Sequence, residues 1–356
     1  MPNPDRIELV RRRLGLTKSG LADRLKIDRK VLQRFESGEF GFPDPSLDAL
    51  CRETGYPRAF FEKGTFEFPS AHGVSFRSLR SLTAGTRDAA LAAGALAFEF
   101  DDWIAARYAL PAHQIPQIEQ QSPEQAAAFV RAKWGIGERP IGNMLNLLES
   151  KGVRVFSLAE ETRHLDAYSF WRDDKQPYVF LNTLKTAERT RFDAAHELGH
   201  LVMHRHSGST NPSAENEANA FASAFLMPPA DLLAEIPRVR SLEQIIEKKT
   251  RWGVSASALC YALNKHERMT EWNYRGYNVS LAQMKSEPNA LPRETSQIWT
   301  KILTDLWRQG IPLSRVSDEL LIPEWELNAL LFGIASTQAP GAPPPAAAPL
   351  RLVGDA

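Results

Sequence analysis

The sequence predicts a multidomain, mostly α-helical protein that contains one small antiparallel β-sheet. Its 356 residues exceed the roughly 100–200 residues of an average domain. Apolar residues recur at helical spacing along most of the chain, whereas short β-branched and aromatic runs cluster between residues 153 and 181. We therefore expect an N-terminal helical bundle, a central α+β domain that contains the sheet, and a helical C-terminal region.

The composition is typical of a globular protein, with 43% hydrophobic and 24% charged residues. Basic and acidic residues number 43 each, which argues against a uniformly basic nucleic-acid surface but allows a local patch. Cys51 and Cys260 are too few for a disulfide framework, and no segment provides the ~20 apolar residues that a membrane span needs. We expect a cytoplasmic protein with no membrane partner.

Helix breakers and local composition divide the chain into five segments. In the first, Thr17 and Asp28 offer side-chain oxygens as N-caps of the second and third helices. The segments are an N-terminal bundle (1–65), a linker (66–85), the central domain (86–235), a helical C-terminal region (236–337) and a Pro-rich disordered tail (338–356).

The predicted sheet consists of the runs 153–156, 167–171 and 178–181. Residues 173–175 suit a hairpin turn between the last two runs, which favours antiparallel pairing. Helical patterns follow at 187–204 and 215–226, and they resume at 242–268 and 294–331. We expect the C-terminal region to be a docking or regulatory module.

The strongest chemical signal is the HExxH motif at residues 196–200. Residues four apart share one face of a helix, so His196 and His200 can bind a single metal ion. Glu197 lies close by without being a ligand, and it can act as general base toward a water molecule. This arrangement is the one that a metallopeptidase requires.

A catalytic metal site needs a third protein ligand, and we favour Glu215. It opens the next helix, and Asn219, one turn later, can hydrogen-bond a ligand. Glu217 is the alternative, but it points some 200° around the helix from Glu215, so only one of the two can face the metal. His204 and His206 are further candidates, and we assign His204 a supporting or structural role next to His200.

Residues 191–204, 215–222 and 226–228 together resemble the ImmA/IrrE family of metallo-endopeptidases, with the likeness covering roughly residues 74–235. The resemblance implies a gluzincin-like zinc peptidase fold in which His196, His200 and Glu215 bind the metal and Glu197 is the base. It also implies limited proteolysis of a protein regulator. Zn²⁺ is the expected cofactor, and sites of this type also accept Mn²⁺ or Fe²⁺.

Two details of the peptidase remain open in the sequence. The transition-state oxyanion needs a stabilising group, and Tyr168, Tyr178, Arg191 and His204 could each serve. The run 178–182 could also bind an extended substrate by strand addition.

The N-terminal segment is locally basic, with ten Lys/Arg against four Asp/Glu in residues 1–34. Residues 14–38 resemble the XRE/Cro family of helix-turn-helix domains, in which the third helix lies in the DNA major groove. The resemblance implies a double-stranded DNA operator as partner and leaves a homodimer open. The residues it places toward DNA are Lys18, Asp28, Arg29, Lys30, Gln33 and Arg34. The alternative is a helical bundle that contacts protein.

These observations together predict a DNA-binding regulator fused to a zinc-dependent endopeptidase. We expect it to cleave a partner repressor or antitoxin in a stress, mobile-element or defence response. Two alternatives use the same residues differently. One is a non-proteolytic transcription regulator whose metal site is structural or sensory, and the other is an antitoxin-like protein that acts by binding.

Overall fold

The computed structural model describes residues 1–37, 39, 41–69, 83–158, 167–205 and 212–337. The predicted tail at 338–356, the greater part of the predicted linker and His206 lie outside the described residues. Within them, no helix is long and apolar enough to cross a membrane. Both cysteines are free.

Five short helices open the chain: α1 (Pro4–Arg13), α2 (Lys18–Leu25), α3 (Arg29–Glu36), α4 (Asp44–Thr54) and α5 (Arg58–Glu62). The N-caps predicted at Thr17 and Asp28 are confirmed. Thr17 Oγ1 accepts a hydrogen bond from Gly20 N at 3.0 Å, and Asp28 Oδ1 accepts one from Lys30 N at 2.7 Å. We refer to α1–α5 as the head.

The central part begins with α6 (Ala84–Ala105), α7 (Pro123–Lys133) and α8 (Met144–Ser150). Strands β1 (Arg154–Leu158), β2 (Ala167–Arg172) and β3 (Gln176–Asn182) follow, and then helices α9 (Ala187–Met203) and α10 (Pro212–Leu226). The remaining helices are α11 (Pro229–Glu235), α12 (Leu242–Trp252), α13 (Ala256–Lys265), α14 (Glu271–Ala282), α15 (Gln297–Arg308), α16 (Leu313–Leu320), α17 (Glu324–Leu330) and α18 (Ile334–Thr337). Helix α14 has no counterpart in the sequence prediction.

The sheet is mixed, so the prediction of a small, mostly antiparallel sheet is confirmed for one of its two strand pairs and wrong for the other. The strand order is β1-β3-β2, with β2 antiparallel and β1 parallel to β3. Asp173 and Asp174, both with positive φ, form the tight turn of the predicted β2–β3 hairpin. The chain passes from β1 to the far edge before it returns through this turn, so β1 and β3 run in the same direction.

Both faces of the sheet are buried, which explains why its strands read as continuous apolar runs. Side chains alternate between two cores. Phe156 and Phe180 pack with the head, α6 and the C-terminal helices α15–α18. Val155 and Val179 pack on the other face with helices α7–α14. The sheet therefore lies between the two cores and contributes side chains to both.

The head packs on the Ala-rich helix α6, chiefly through α1. Two charged contacts connect it to the rest of the chain. Arg6 pairs with Glu99 of α6, and Arg13 Nε lies 2.7 Å from Oε1 of Glu326, a fully buried residue of α17. The head thus shares one continuous core with α6 and helices α15–α18.

Candidate metal centre

The candidate site lies where α9 crosses α10. Helix α9 carries His196, Glu197 and His200, and Glu215 lies in the first turn of α10. The two helices approach closely at Gly199, where a Cβ atom would come within 3.1 Å of the Phe221 ring. This close approach carries the first turn of α10 to the histidines.

The structure brings His196, His200 and Glu215 together, with one ligand atom of each within 4.8 Å of the others. The two Nε2 atoms are 3.1 Å apart, and they lie 3.4 Å and 3.5 Å from the Glu215 carboxylate oxygens. Ligand atoms of a tetrahedral ion with bonds of 2.0–2.1 Å are separated by about 3.3–3.4 Å. Two imidazoles and a carboxylate at these separations fit a divalent metal ion such as zinc.

The charges in the cluster also suit a cation. Burial lowers the pKa of His200 to about 4, so its imidazole is neutral at neutral pH and has a lone pair to donate. Burial alone would raise the pKa of Glu215, but the neighbouring His196 and His200 side chains outweigh it and hold the pKa well below its ordinary value. Glu215 Oε1 is buried without a hydrogen-bond partner. A metal ion would satisfy that oxygen.

Glu197 is not one of these three residues, and its carboxylate contacts β2. Its side chain is buried, and its Oε2 accepts a 2.6 Å hydrogen bond from Ser169 Oγ. Burial raises the pKa of Glu197 to about 7. A carboxyl group with a pKa near the working pH is suited to general acid–base catalysis. The sequence analysis missed Ser169, because its only signal was its position in a predicted strand.

The two histidines have different hydrogen-bond partners on their far sides. His196 Nδ1 lies 3.0 Å from Asn219 Oδ1, an amide oxygen that can accept a hydrogen bond from a protonated Nδ1. His200 Nδ1 lies 3.0 Å from His204 Nδ1, and His204 Nε2 lies 2.9 Å from Glu217 Oε2. Glu217 is therefore directed at His204, whereas Glu215 is directed at the two imidazoles.

The other groups considered for the oxyanion are engaged elsewhere. Tyr168 OH donates to the Ala90 carbonyl oxygen and Tyr178 OH donates to Asp101. Arg191 forms an ion pair with Glu294. The hypothesis of strand addition at 178–182 is wrong, because β3 is the central strand and both of its edges are paired.

A cleft of about 640 Å³ extends from Asn219 between α9, α10 and α13. Phe192 and Ala220 provide apolar surface, and Tyr261 stands at the cleft with 57% of its surface exposed. The cleft is large enough for several side chains of a polypeptide. Asn219, the hydrogen-bond partner of His196, is the residue that connects the lining of the cleft to the candidate site.

Four of the six residues expected to face DNA are exposed side by side on α3, opposite its buried face of Leu32 and Phe35: Arg29, Lys30, Gln33 and Arg34. Arg34 Nε also lies 3.6 Å from Glu39 Oε2, and the other two residues have partners within the head. Asp28 caps α3, and Lys18 pairs with Glu36.

Comparison with known proteins places part of the chain near one protein family. A peptidase family model, described as the IrrE N-terminal-like domain, matches residues 148–264, about a third of the chain. The match spans the sheet and the four residues His196, Glu197, His200 and Glu215, and it indicates a metallopeptidase-type function for this part. It leaves the head outside. No curated protein matches the chain.

Proposed function

We propose that this protein is a zinc-dependent endopeptidase whose head binds operator DNA and whose substrate is a partner repressor or antitoxin. The observation that carries the proposal is the convergence of His196, His200 and Glu215 at metal-ligand separations beside the buried Glu197. The family match to the same segment supports a peptidase rather than a purely structural metal site.

Each residue has a distinct part in peptide hydrolysis. His196, His200 and Glu215 would hold a divalent ion, which when bound supplies Lewis acidity to a carbonyl and to water. Glu197 takes a proton from the attacking water and passes it to the departing amide nitrogen. Ser169 keeps one oxygen of that carboxylate in place, and the cleft beside Asn219 receives the substrate chain.

The test of the enzyme is Glu197→Gln in the full-length protein. The variant removes the base and leaves all three ligands, so it should bind one Zn²⁺ per chain while losing cleavage by a factor of about 10³ or more. New protein N-termini are mapped by mass spectrometry in cells that produce wild type or variant. A cleavage product present with both proteins would exclude Glu197 as the base.

The head's part in the proposal rests on the four exposed side chains of α3. Arg29→Ala and Arg34→Ala should each weaken binding to selected duplex DNA roughly tenfold or more, and removal of a phosphate contact should also reduce the salt dependence. Arg52→Ala, an exposed arginine on α4, is the matched control. Equal affinities in all four proteins would assign the head to protein contact.

The two activities are separable by chelation. Removal of zinc should abolish cleavage and leave the DNA affinity of the head unchanged, because no residue of α3 belongs to the metal cluster. Control of the operon that persists in Glu197→Gln, with no cleaved protein in the wild type, would favour a non-proteolytic regulator.

A further inference from the structure

Three side chains form a continuous hydrogen-bonded row behind one of the metal ligands. Glu217 Oε2 contacts His204 Nε2 at 2.9 Å, and His204 Nδ1 contacts His200 Nδ1 at 3.0 Å. The His200 and His204 side chains are 4% and 7% exposed, whereas Glu217 is 42% exposed at the outer end. The row therefore runs from the surface to the candidate metal site.

The requirement for a free Nε2 on His200 fixes every proton in this row. His200 directs Nε2 at His196 and Glu215, so this nitrogen must be unprotonated to bind a metal, and Nδ1 must carry the proton. His204 Nδ1 must then accept the hydrogen bond that His200 Nδ1–H donates. The proton of the neutral His204 ring is therefore on Nε2, which donates a hydrogen bond to Glu217.

The ends of helices α9 and α10 hold the residues of this row in position. His204 follows the last residue of α9, and its backbone N–H still donates to the His200 carbonyl oxygen at 2.9 Å. Glu217 belongs to α10, two residues after the ligand Glu215. One helix thus provides both a ligand and the group that orients the opposite ligand through His204.

We propose that Glu217 and His204 are positioning residues that hold His200 in the Nδ1–H form, with Nε2 presented to the metal. The inference rests on the metal site of the proposed function and deepens it. It assigns to Glu217 a role other than ligation, and it makes His204 the link between that carboxylate and the site. His196 differs, because the neutral amide of Asn219 holds it directly.

The test measures Zn²⁺ affinity of the full-length protein in competition with a chromogenic chelator. Loss of a group that orients a ligand typically weakens metal binding by about 10–100-fold, which we expect for Glu217→Ala and His204→Ala. Glu217→Gln should restore most of the affinity, because its amide oxygen can still accept from His204 Nε2. Glu62→Gln is the matched control, since Glu62 is also 42% exposed and paired with an arginine in the head.

A second measurement separates positioning from a general loss of structure. In ¹⁵N-histidine NMR spectra of the zinc-loaded protein, His200 should show a protonated Nδ1 in the wild type, and its Nδ1 signal should shift in Glu217→Ala. Glu217 is partly exposed, so this variant should fold normally, and its circular dichroism should match that of the wild type.

The outcomes distinguish the two proposals. Wild type that binds Zn²⁺ with an affinity unchanged in Glu217→Ala and His204→Ala would overturn the positioning role alone. Wild type that binds no Zn²⁺ would overturn the proposed function and the positioning role together.

Discussion

The side chain of Ser169 connects the buried carboxylate of Glu197 to the sheet. Its hydroxyl donates at 2.6 Å, and both residues are buried, so no water can easily take its place. The hydrogen bond restrains the rotation of the carboxylate and favours its charged form, against the effect of burial. The sheet therefore determines where the carboxylate of Glu197 points.

We predict that Ser169→Ala lowers kcat/KM by roughly tenfold to a hundredfold and leaves Zn²⁺ affinity unchanged, because Ser169 touches Glu197 and none of the three metal ligands. Kinetics on a cleaved partner and chelator competition measure the two quantities. Ser157→Ala is the control, since Ser157 is an equally buried strand serine whose hydroxyl contacts Thr183 instead. An equal loss in both variants would point to damage to the sheet rather than to the base.

The residues of the site differ in how far the sequence could predict them. The pairing of His196 with His200 could be predicted because they lie four residues apart on one helix. The role of Asn219 could be predicted because it lies four residues after Glu215 on the following helix. Ser169 does not, because its contact with Glu197 depends on which strand borders α9. The partner of Glu217 depends in the same way on where α9 ends.

At the scale of elements, the closeness of α9 and α10 depends on Gly199. A Cβ atom there would lie 3.1 Å from the Phe221 ring and 3.3 Å from Ala218 Cα, both on α10. Since α10 also carries Glu215, any separation of the helices changes the distance from Glu215 to the histidines. A glycine within the HExxH motif thus has a packing role in addition to its place between the ligands.

We predict that Gly199→Ala weakens Zn²⁺ binding by about tenfold, because ligand positions tolerate only about 0.5 Å of error. Gly276→Ala is the matched control, since Gly276 is also helical but has open space at the Cβ position. It should leave Zn²⁺ affinity unchanged and raise the free energy of unfolding by about 0.5–1 kcal/mol. Stabilisation in both variants without loss of zinc would contradict the packing role.

Glu149, in α8, caps the start of α15. Its Oε2 accepts hydrogen bonds from Gln297 N at 2.9 Å and Ile298 N at 3.2 Å, and burial raises its pKa to about 7. The folded protein therefore holds this proton at pH values where the unfolded chain, with a carboxyl pKa near 4.5, releases it. The resulting stability is fully present below about pH 4.5 and is lost as pH rises through about 7.

We predict that the free energy of unfolding of the wild type decreases by up to roughly 3 kcal/mol between about pH 5 and pH 8 because of this group. Glu149→Gln should remove that part of the decrease, since its amide oxygen still caps α15 without a titrating proton. Urea denaturation at the two pH values measures the difference. Parallel pH dependence in both proteins would show that Glu149 does not titrate in this range.

The elements themselves were predicted unevenly. The N-caps, the β2–β3 hairpin and the helices that carry the site followed from local signals that the structure retains. The parallel pairing of β1 was missed, because it depends on how the chain crosses the sheet and not on the strand's own residues. Helix α14 was missed as well, since most of it is exposed and only Leu281 is buried.

At the scale of the whole molecule, the basic residues of the head fall into two groups with different partners. The basic excess of residues 1–34 predicts a DNA-binding surface. In the structure Arg6 and Arg13 pair with Glu99 and Glu326, outside the head, and these contacts hold the head on the first core. Part of the positive charge of the head is therefore paired with carboxylates of α6 and α17.

We predict that Glu326→Ala destabilises the protein by about 3 kcal/mol, because it removes the buried carboxylate that binds Arg13 and accepts from Tyr56. Glu324→Ala changes an exposed carboxylate on the same helix and should alter stability by less than about 0.5 kcal/mol. Chemical denaturation compares the two. Equal stability of both variants would mean that the Glu326 contacts contribute nothing net to holding the head.

The shared core behind the sheet has a practical consequence for dissecting the protein. Deleting residues 1–65 would uncover the flank of α6 on which α1 rests, and the aromatic layer of Phe156 and Phe180 would lose part of its cover. We expect such a fragment to aggregate during size-exclusion chromatography, whereas the intact chain elutes as a discrete species. The head and the segment that carries the metal cluster would thus fold as one unit.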